Sequence, residues 1–219
     1  YSPITESFIR FSLRSAQGTS IEHSVTSIIS DKNGCIWVSV DSQGLFCYSP
    51  SQETLTNYFF LFFKKHISAN ITRFWFDDSG TCWLCLYDDN LYYTKDNFKT
   101  LKPYMAADGS QPFKDDIINK LVSGPHHCLY VGSSKGGLKE IDLTTNKVRT
   151  LLLKDESGEI VYAREIAFYS KDEIWVGSES GLFIYHLKTG KFAHHTCVNG
   201  DPYSLSDNAI YSLFKDREG

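Results

Sequence analysis

The stretch that decides the fold is Val25–Tyr48, VTSIISDKNGCIWVSVDSQGLFCY, because it returns three more times along the chain. It reads ITRFWFDDSGTCWLCLYDDNLYY from Ile71, INKLVSGPHHCLYVGSSKGGLKEI from Ile118 and AREIAFYSKDEIWVGSESGLFIY from Ala163. A fifth copy, IYSLFKDREG, begins at Ile210 and runs to Gly219. The aromatics Trp37, Trp83, Tyr130 and Trp175 stand 46, 47 and 45 residues apart. A corner of Gly44-Leu45, Asn90-Leu91, Gly137-Leu138 and Gly181-Leu182 keeps the same pace. Self-similarity at a fixed period of this size marks a repeat architecture.

Within each copy the apolar residues alternate, or form short runs rich in β-branched and aromatic residues, between Gly, Asp, Asn and Ser; this is strand patterning, and no 3.6-residue stripe competes with it. The first copy predicts strand A at 25–30, a turn at 31–34, strand B at 35–40, a second turn at 41–44 and strand C at 45–48. A fourth strand follows in TLTNYFF, FKTLKPY, KVRTLLL and KFAHHTC, from Thr54, Phe98, Lys147 and Lys191. One such sheet is too small to stand alone. Packing them face to face around an axis buries both faces of each, so the expected fold is an all-β β-propeller of four complete four-stranded antiparallel blades plus partial ones.

The second-turn glycine is expected to supply a positive φ, with Asn90 filling the same role in the second copy. Asp31, Asp77 and Asp216 are expected to cap the A to B turn. On this reading Trp37, Trp83, Tyr130, Trp175, Gly44, Gly137 and Gly181 are structural residues of the repeat. The blades fall at about 24–60, 70–104, 116–153 and 162–197, after an outer strand and leading loop over 1–23, with a fifth blade starting at 208–219. FIRFSL, within Ser7–Leu13, has the character of a fourth strand able to close a final blade.

These residues resemble the two-component regulator propeller repeat, whose pattern runs approximately V-x-S-I-x-x-D-x-x-G-x-[IL]-W-[IV]-G-T-x-x-G-L-x-x-[YF]. The first copy and the start of the fifth match it closely. The third and fourth lose the Asp and turn Gly, with GPHH and YSKD in their place, but keep VGS and Gly-Leu. The resemblance implies the N-terminal part of the periplasmic sensor region of a Bacteroides-type hybrid two-component histidine kinase, a receptor built with seven-bladed propellers. It implies an oligosaccharide ligand, control of polysaccharide utilisation, a homodimer partner, and kinase and membrane segments lying beyond Gly219. Seven blades at this period would need roughly 320 residues, so the 219 present are expected to be a fragment.

Composition narrows the alternatives. A net charge of -4 over 219 residues, with scattered lysines, lacks the basic field that nucleic acid demands. The most apolar run, YFFLFF from Tyr58, is far shorter than a membrane span and leads into Lys64-Lys65, so no membrane contact is expected of this segment. Six cysteines are read as small buried thiols. Cys82 and Cys85 form a C-x-x-C, yet in a strand residues three apart face opposite ways.

Two pairs, His126-His127 and His194-His195, invite a metal reading, but adjacent residues diverge and no further ligand lies at suitable spacing; no metal, cofactor or catalytic residue is assigned. Asp78-Ser79-Gly80 before Trp83 resembles the Asp-box turn of sialidase-type propellers. The arginine cluster and paired nucleophile such chemistry needs cannot be identified, so the segment is expected not to be an enzyme.

Ligand contacts are expected where loops leading into strand A gather with those joining B to C, since those loops repeat least and recognition on a repeated scaffold needs variation. Sugars are held by aromatic faces together with charged and amide hydrogen bonds. From these loops the candidates are Lys64, His66, Tyr104 and Tyr203, with Lys65, Lys114 and Tyr162 beside them. On or near strand A they are Arg73, Trp75 and Arg164. Trp75 aligns with Ile29, Val122 and Phe214, which favours packing between blades. A protein-interaction or structural propeller is the competing reading.

Overall fold

The computed structural model describes Ser7 and residues 23–58, 70–87, 89–96 and 98–216. Among the described residues lie sixteen strands in four antiparallel sheets, each built from four strands consecutive in sequence. The first comprises β1 (Val25–Ser30), β2 (Ile36–Val40), β3 (Gly44–Ser49) and β4 (Thr54–Asn57). The second comprises β5 (Ile71–Phe76), β6 (Cys82–Leu86), β7 (Leu91–Thr94) and the two-residue β8 (Lys102–Pro103). The third comprises β9 (Ile118–Gly124), β10 (Cys128–Ser133), β11 (Gly137–Asp142) and β12 (Lys147–Leu152). The fourth comprises β13 (Glu165–Ser170), β14 (Glu173–Gly177), β15 (Leu182–His186) and β16 (Lys191–His195). The expected FIRFSL strand falls outside the described residues.

The chain divides into two compact units, one ending at Ile71 and the other beginning at Thr72. In the first, Val38, Val40, Phe46 and Leu55 form the core, and Trp37 is buried with its ring 5.3 Å from that of Tyr58. The aromatic at the next two anchor positions is buried in the second unit, Trp83 at 4% exposure and Tyr130 at 3%. Trp175 is half-buried and stacks on Tyr169 at 5.5 Å.

The turns follow their residues. Asp31 Oδ1 accepts from the backbone N–H of Asn33 and Cys35 at 2.8 and 3.0 Å, and Asp77 Oδ1 accepts from Ser79 and Thr81, both at 3.0 Å. Asp216 adjoins residues outside the description. Gly44, Gly137 and Gly181 have φ of 80, 62 and 129°, as the corner requires. Asn90 corrects the expectation. It is absent from the positive-φ residues, and its amide works instead by side chain: Oδ1 accepts from Leu91 N at 2.8 Å and Nδ2 donates to Tyr104 O at 3.4 Å. The third copy has another solution, a 3-10 turn at Pro125–His127 in which His126 and His127 both adopt positive φ.

Within the second unit, successive sheets are joined by contacts spaced at one repeat. Arg73 Nε donates to Asn119 O at 3.3 Å, a span of 46 residues, and Trp75 Nε1 to Ser123 Oγ at 3.2 Å, a span of 48. Asn119 Nδ2 donates to Ala163 O at 3.0 Å across 44 residues. Two apolar layers lie under these bonds. One gathers Trp83, Leu91, Phe113, Leu121, Leu129 and Ile141, the other Tyr130, Leu138, Ile166, Val176 and Phe183. Each large side chain so buried contributes about 1.5–3 kcal/mol, which is why one sheet needs its neighbour.

In the second layer the approach of the chain is close. The Ala163 and Ile210 backbone N–H groups donate to Ser133 O and Ser178 O at 3.1 and 2.8 Å, one repeat apart. A Cβ on Gly177 would sit 2.6 Å from Ile210 Cγ2, so the glycine of VGS is set by that approach. Ile210 thus occupies the position of a fifth strand A, although residues 207–216 carry no strand pairing. The hydrogen-bonding edge there meets no second strand among the described residues.

Candidate functional site

The starts of β9 and β13 and the turns joining β10 to β11 and β14 to β15 bring together the polar groups of greatest interest. At their centre is Arg164, positioned by its backbone N–H bond to Gly177 O at 2.9 Å. Its guanidinium pairs with Glu179 of the β14–β15 turn, and its Cζ lies 4.2 Å from the ring centroid of Tyr211 and 5.3 Å from that of Tyr162. Cations over aromatic faces at these distances are attracted by the ring quadrupole. The Arg164 Nε is buried and meets no hydrogen-bond acceptor among the described residues. A buried donor left in that condition costs free energy.

Around this arginine the charges alternate. Lys120 Nζ pairs with Glu165 Oε1 at 2.7 Å, again one repeat apart. Asn119 Nδ2 also reaches Ser134 Oγ at 3.3 Å. Lys135 Nζ donates to Asp115 O, while Asp116 Oδ1 accepts from the Ile117 and Lys135 backbones at 2.8 and 2.9 Å. The arrangement offers a partly open tyrosine face, fixed donors and fixed carboxylates. It suits a ligand rich in hydroxyls, which donates and accepts in alternation.

The sequence candidates separate clearly in space. Arg164 is central, and Arg73 is exposed, with its guanidinium reaching Asn119 O and Thr72 O. Tyr203 is 96% exposed in the loop after β16. Tyr104 is corrected to a core residue. It is 1% exposed, with its ring 5.8 Å from that of Trp83 and 5.9 Å from that of Phe113, and burial pushes its phenol up to about 12. Trp75 packs against the same layer. Lys64 and His66 lie outside the described residues.

Glu179 and Tyr211 were not among the sequence candidates. Glu179 is one residue of a short Ser-rich turn, and Tyr211 belongs to the incomplete fifth copy; only their meeting at Arg164 marks them. Among the described residues no group of three or more His, Cys, Asp or Glu is gathered at metal-binding geometry, and no helix is long and apolar enough to cross a membrane.

No protein-family model matches the chain, and no curated protein matches it. Solved structures do. The extracellular domain of a hybrid two-component system of B. thetaiotaomicron, BT3049, superposes with a TM-score of 0.77 at 19% identity, over 99% of this chain and 27% of that one. The extracellular domain of BT4673, from the same organism, gives 0.73 at 18% identity over 91% and 26%. PorZ of Porphyromonas gingivalis, a surface component of the type-IX secretion system, gives 0.66 at 17% identity over 91% and 31%. The chain therefore spans about a quarter to a third of the length of these structures. At such identities the likeness carries the fold, and with the four sheets above it makes this chain a run of four-stranded β-propeller blades.

Proposed function

We propose that this chain is a ligand-sensing part of an extracytoplasmic receptor of the hybrid two-component type, placed in the periplasm, and that it binds an oligosaccharide without turning it over. The observation that carries the proposal is Arg164, held between Tyr162 and Tyr211 with Glu179 on one side. Stacking faces and alternating donors and acceptors are the equipment of sugar recognition, and the neighbouring carboxylates Glu165 and Glu179 are engaged by cations rather than poised as an acid–base pair. The extracellular domains of two-component systems with the same fold support the sensor reading.

In such a receptor the ligand acts by favouring one arrangement of the remaining domains and of a second protomer over another, because only differential affinity shifts an equilibrium. The test is isothermal titration of the intact extracytoplasmic region against a panel of oligosaccharides. One member is expected to bind, with Arg164→Ala weakening it by about tenfold or more, in the range of a lost charged hydrogen bond. Silence across the panel would overturn the oligosaccharide reading, and an R164A protein of unchanged affinity and unchanged melting temperature would remove Arg164 from the site. Release of reducing sugar at high protein concentration would replace sensing by hydrolysis.

A further inference from the structure

We infer that Asn199 is a site of spontaneous covalent modification, losing its side-chain amide to become aspartate or isoaspartate while the fold stands. The chain contains two Asn-Gly pairs, Asn33-Gly34 and Asn199-Gly200. In such a pair the glycine has no side chain to shield its nitrogen from the preceding amide. Both asparagines are exposed, and a Cβ built on either glycine would meet nothing within 4 Å, so open space does not separate the two. The backbone bonds do. In the A to B turn of the first sheet the Gly34 N–H donates to Asp31 O at 3.1 Å and the Asn33 N–H to Asp31 Oδ1 at 2.8 Å. The nitrogen that would attack is tied there, beside a carboxylate that opposes further negative charge. In the loop after β16 the turn is closed one residue later, by the Asp201 N–H donating to Val198 O at 3.1 Å. That leaves the Gly200 N–H and the Asn199 side-chain amide with no hydrogen-bond partner among the described residues.

The reaction needs water and hydroxide alone. Hydroxide takes the Gly200 amide proton, the nitrogen attacks Asn199 Cγ, and the Cγ–Nδ2 bond breaks. Nδ2 takes a proton from water and leaves as ammonia, which restores the hydroxide. Water then opens the cyclic imide: at Cγ it gives aspartate, and at the backbone carbonyl it gives isoaspartate, with the main chain routed through the former side chain.

Either product adds a negative charge to a loop that already carries Asp201 and Asp207 and presents Tyr203 to solvent. Isoaspartate also lengthens the main chain by a methylene inside the turn that Asp201 N–H closes. The base of the loop is held by the Cys197 N–H donating to Asn208 Oδ1 at 2.6 Å, just ahead of Ile210 and Tyr211. The modified loop is thus the one that leads into the tyrosine lying against Arg164.

The test carries its own control. The native chain and a urea-unfolded sample are incubated side by side in mildly alkaline buffer, and the peptides holding the two asparagines are followed by mass spectrometry, with enzymatic methylation to reveal isoaspartate. Unfolded, the two positions should react at similar rates. Folded, Asn199 should react faster than Asn33 by about tenfold or more, the worth of the turn bond that Gly34 must break. Asn199→Gln, at an exposed position where folding is not at risk, should abolish the fast phase of ammonia release. Equal rates at the two positions in the folded protein, an Asn199 that reacts only after unfolding, or a fast phase that persists in N199Q would overturn the inference.

Discussion

The indole Nε1–H of Trp83 donates to Asp77 Oδ2 at 2.9 Å, six residues back, while the other oxygen of the same carboxylate holds the turn between them. Trp37 and Asp31 repeat the arrangement at 2.8 Å. One carboxylate thus caps a turn and fixes the rotamer of the aromatic on which the apolar layer is built. Asp77 is 8% exposed, so Asp77→Ala would strand a buried indole N–H and two turn amides. The expected loss is about 3 kcal/mol, read as a fall in the urea midpoint with an unchanged slope. Asp78→Ala, at the exposed neighbour, should cost less than about 0.5 kcal/mol. Equal effects at the two positions would show that the Asp77 bonds do not carry the turn.

The same pair shows what the sequence makes legible. Asp and Trp at fixed offsets in the first two copies prescribe a capped turn and a strand, and both are present, as is the positive-φ corner of the first copy at Gly44. Where a copy departs from the pattern, the substitute chemistry is hidden. Glu173 Oε1 accepts from Trp175 Nε1 at 2.8 Å from only two residues away, doing for that indole what Asp does from six. Asn90 looks like a φ donor and acts through its amide. The candidate site was half legible: Arg164 stood out as a cation beside strand A, but Glu179 and Tyr211 depend on how one sheet is rotated against the next. Tyr104 misled for the opposite reason, since a tyrosine in a variable loop reads as surface until the loop folds it onto Trp83 and Phe113.

Gly137 gives a sharper test of the corner. Its φ of 62° is joined by a clash, because an added Cβ would lie 2.0 Å from Leu152 O. Gly109 has φ of 80° with nothing within 4 Å. Gly137→Ala should therefore cost about 3 kcal/mol or more, and Gly109→Ala about 1 kcal/mol, the left-handed penalty alone. Thermal melts of the two variants should differ clearly, and coincident melts would mean that the backbone at Gly137 relaxes freely.

The six thiols should differ strongly in reactivity. Cys197 is exposed, whereas Cys82 and Cys85 are at 1% and 0% exposure, and burial pushes both of their thiols well up. Burial also raises Cys128 to about 11, with Glu140 adding to it, and Cys47 to about 12, with Cys35 adding to it. At pH 8 a thiol of pKa 11 is thiolate in roughly one molecule in a thousand. A maleimide should modify Cys197 first and reach Cys82 and Cys85 only on unfolding. Native labelling of Cys85 at the rate of Cys197 would contradict the burial of the second sheet.

Acid should destabilise the protein through its turn aspartates. Asp96 is held at about 2 by the Thr100 hydroxyl and backbone N–H, with Thr94 assisting, and Asp142 is lowered chiefly by the Thr145 hydroxyl. Asp155 and Asp172 are lowered as well, the latter chiefly through Lys188. An unfolded aspartate titrates near about 3.9, so in each case the folded state holds its proton less tightly. The stabilisation is then complete above about pH 4 and is lost as pH falls toward 2, where the unfolded chain binds more protons. The urea midpoint should fall across that interval. Asp96→Asn should lower it at pH 6 while flattening its decline between pH 4 and 2, because the variant has no proton to take up there. A decline in D96N as steep as in the native protein would place the acid sensitivity elsewhere than the Asp96–Thr100 turn.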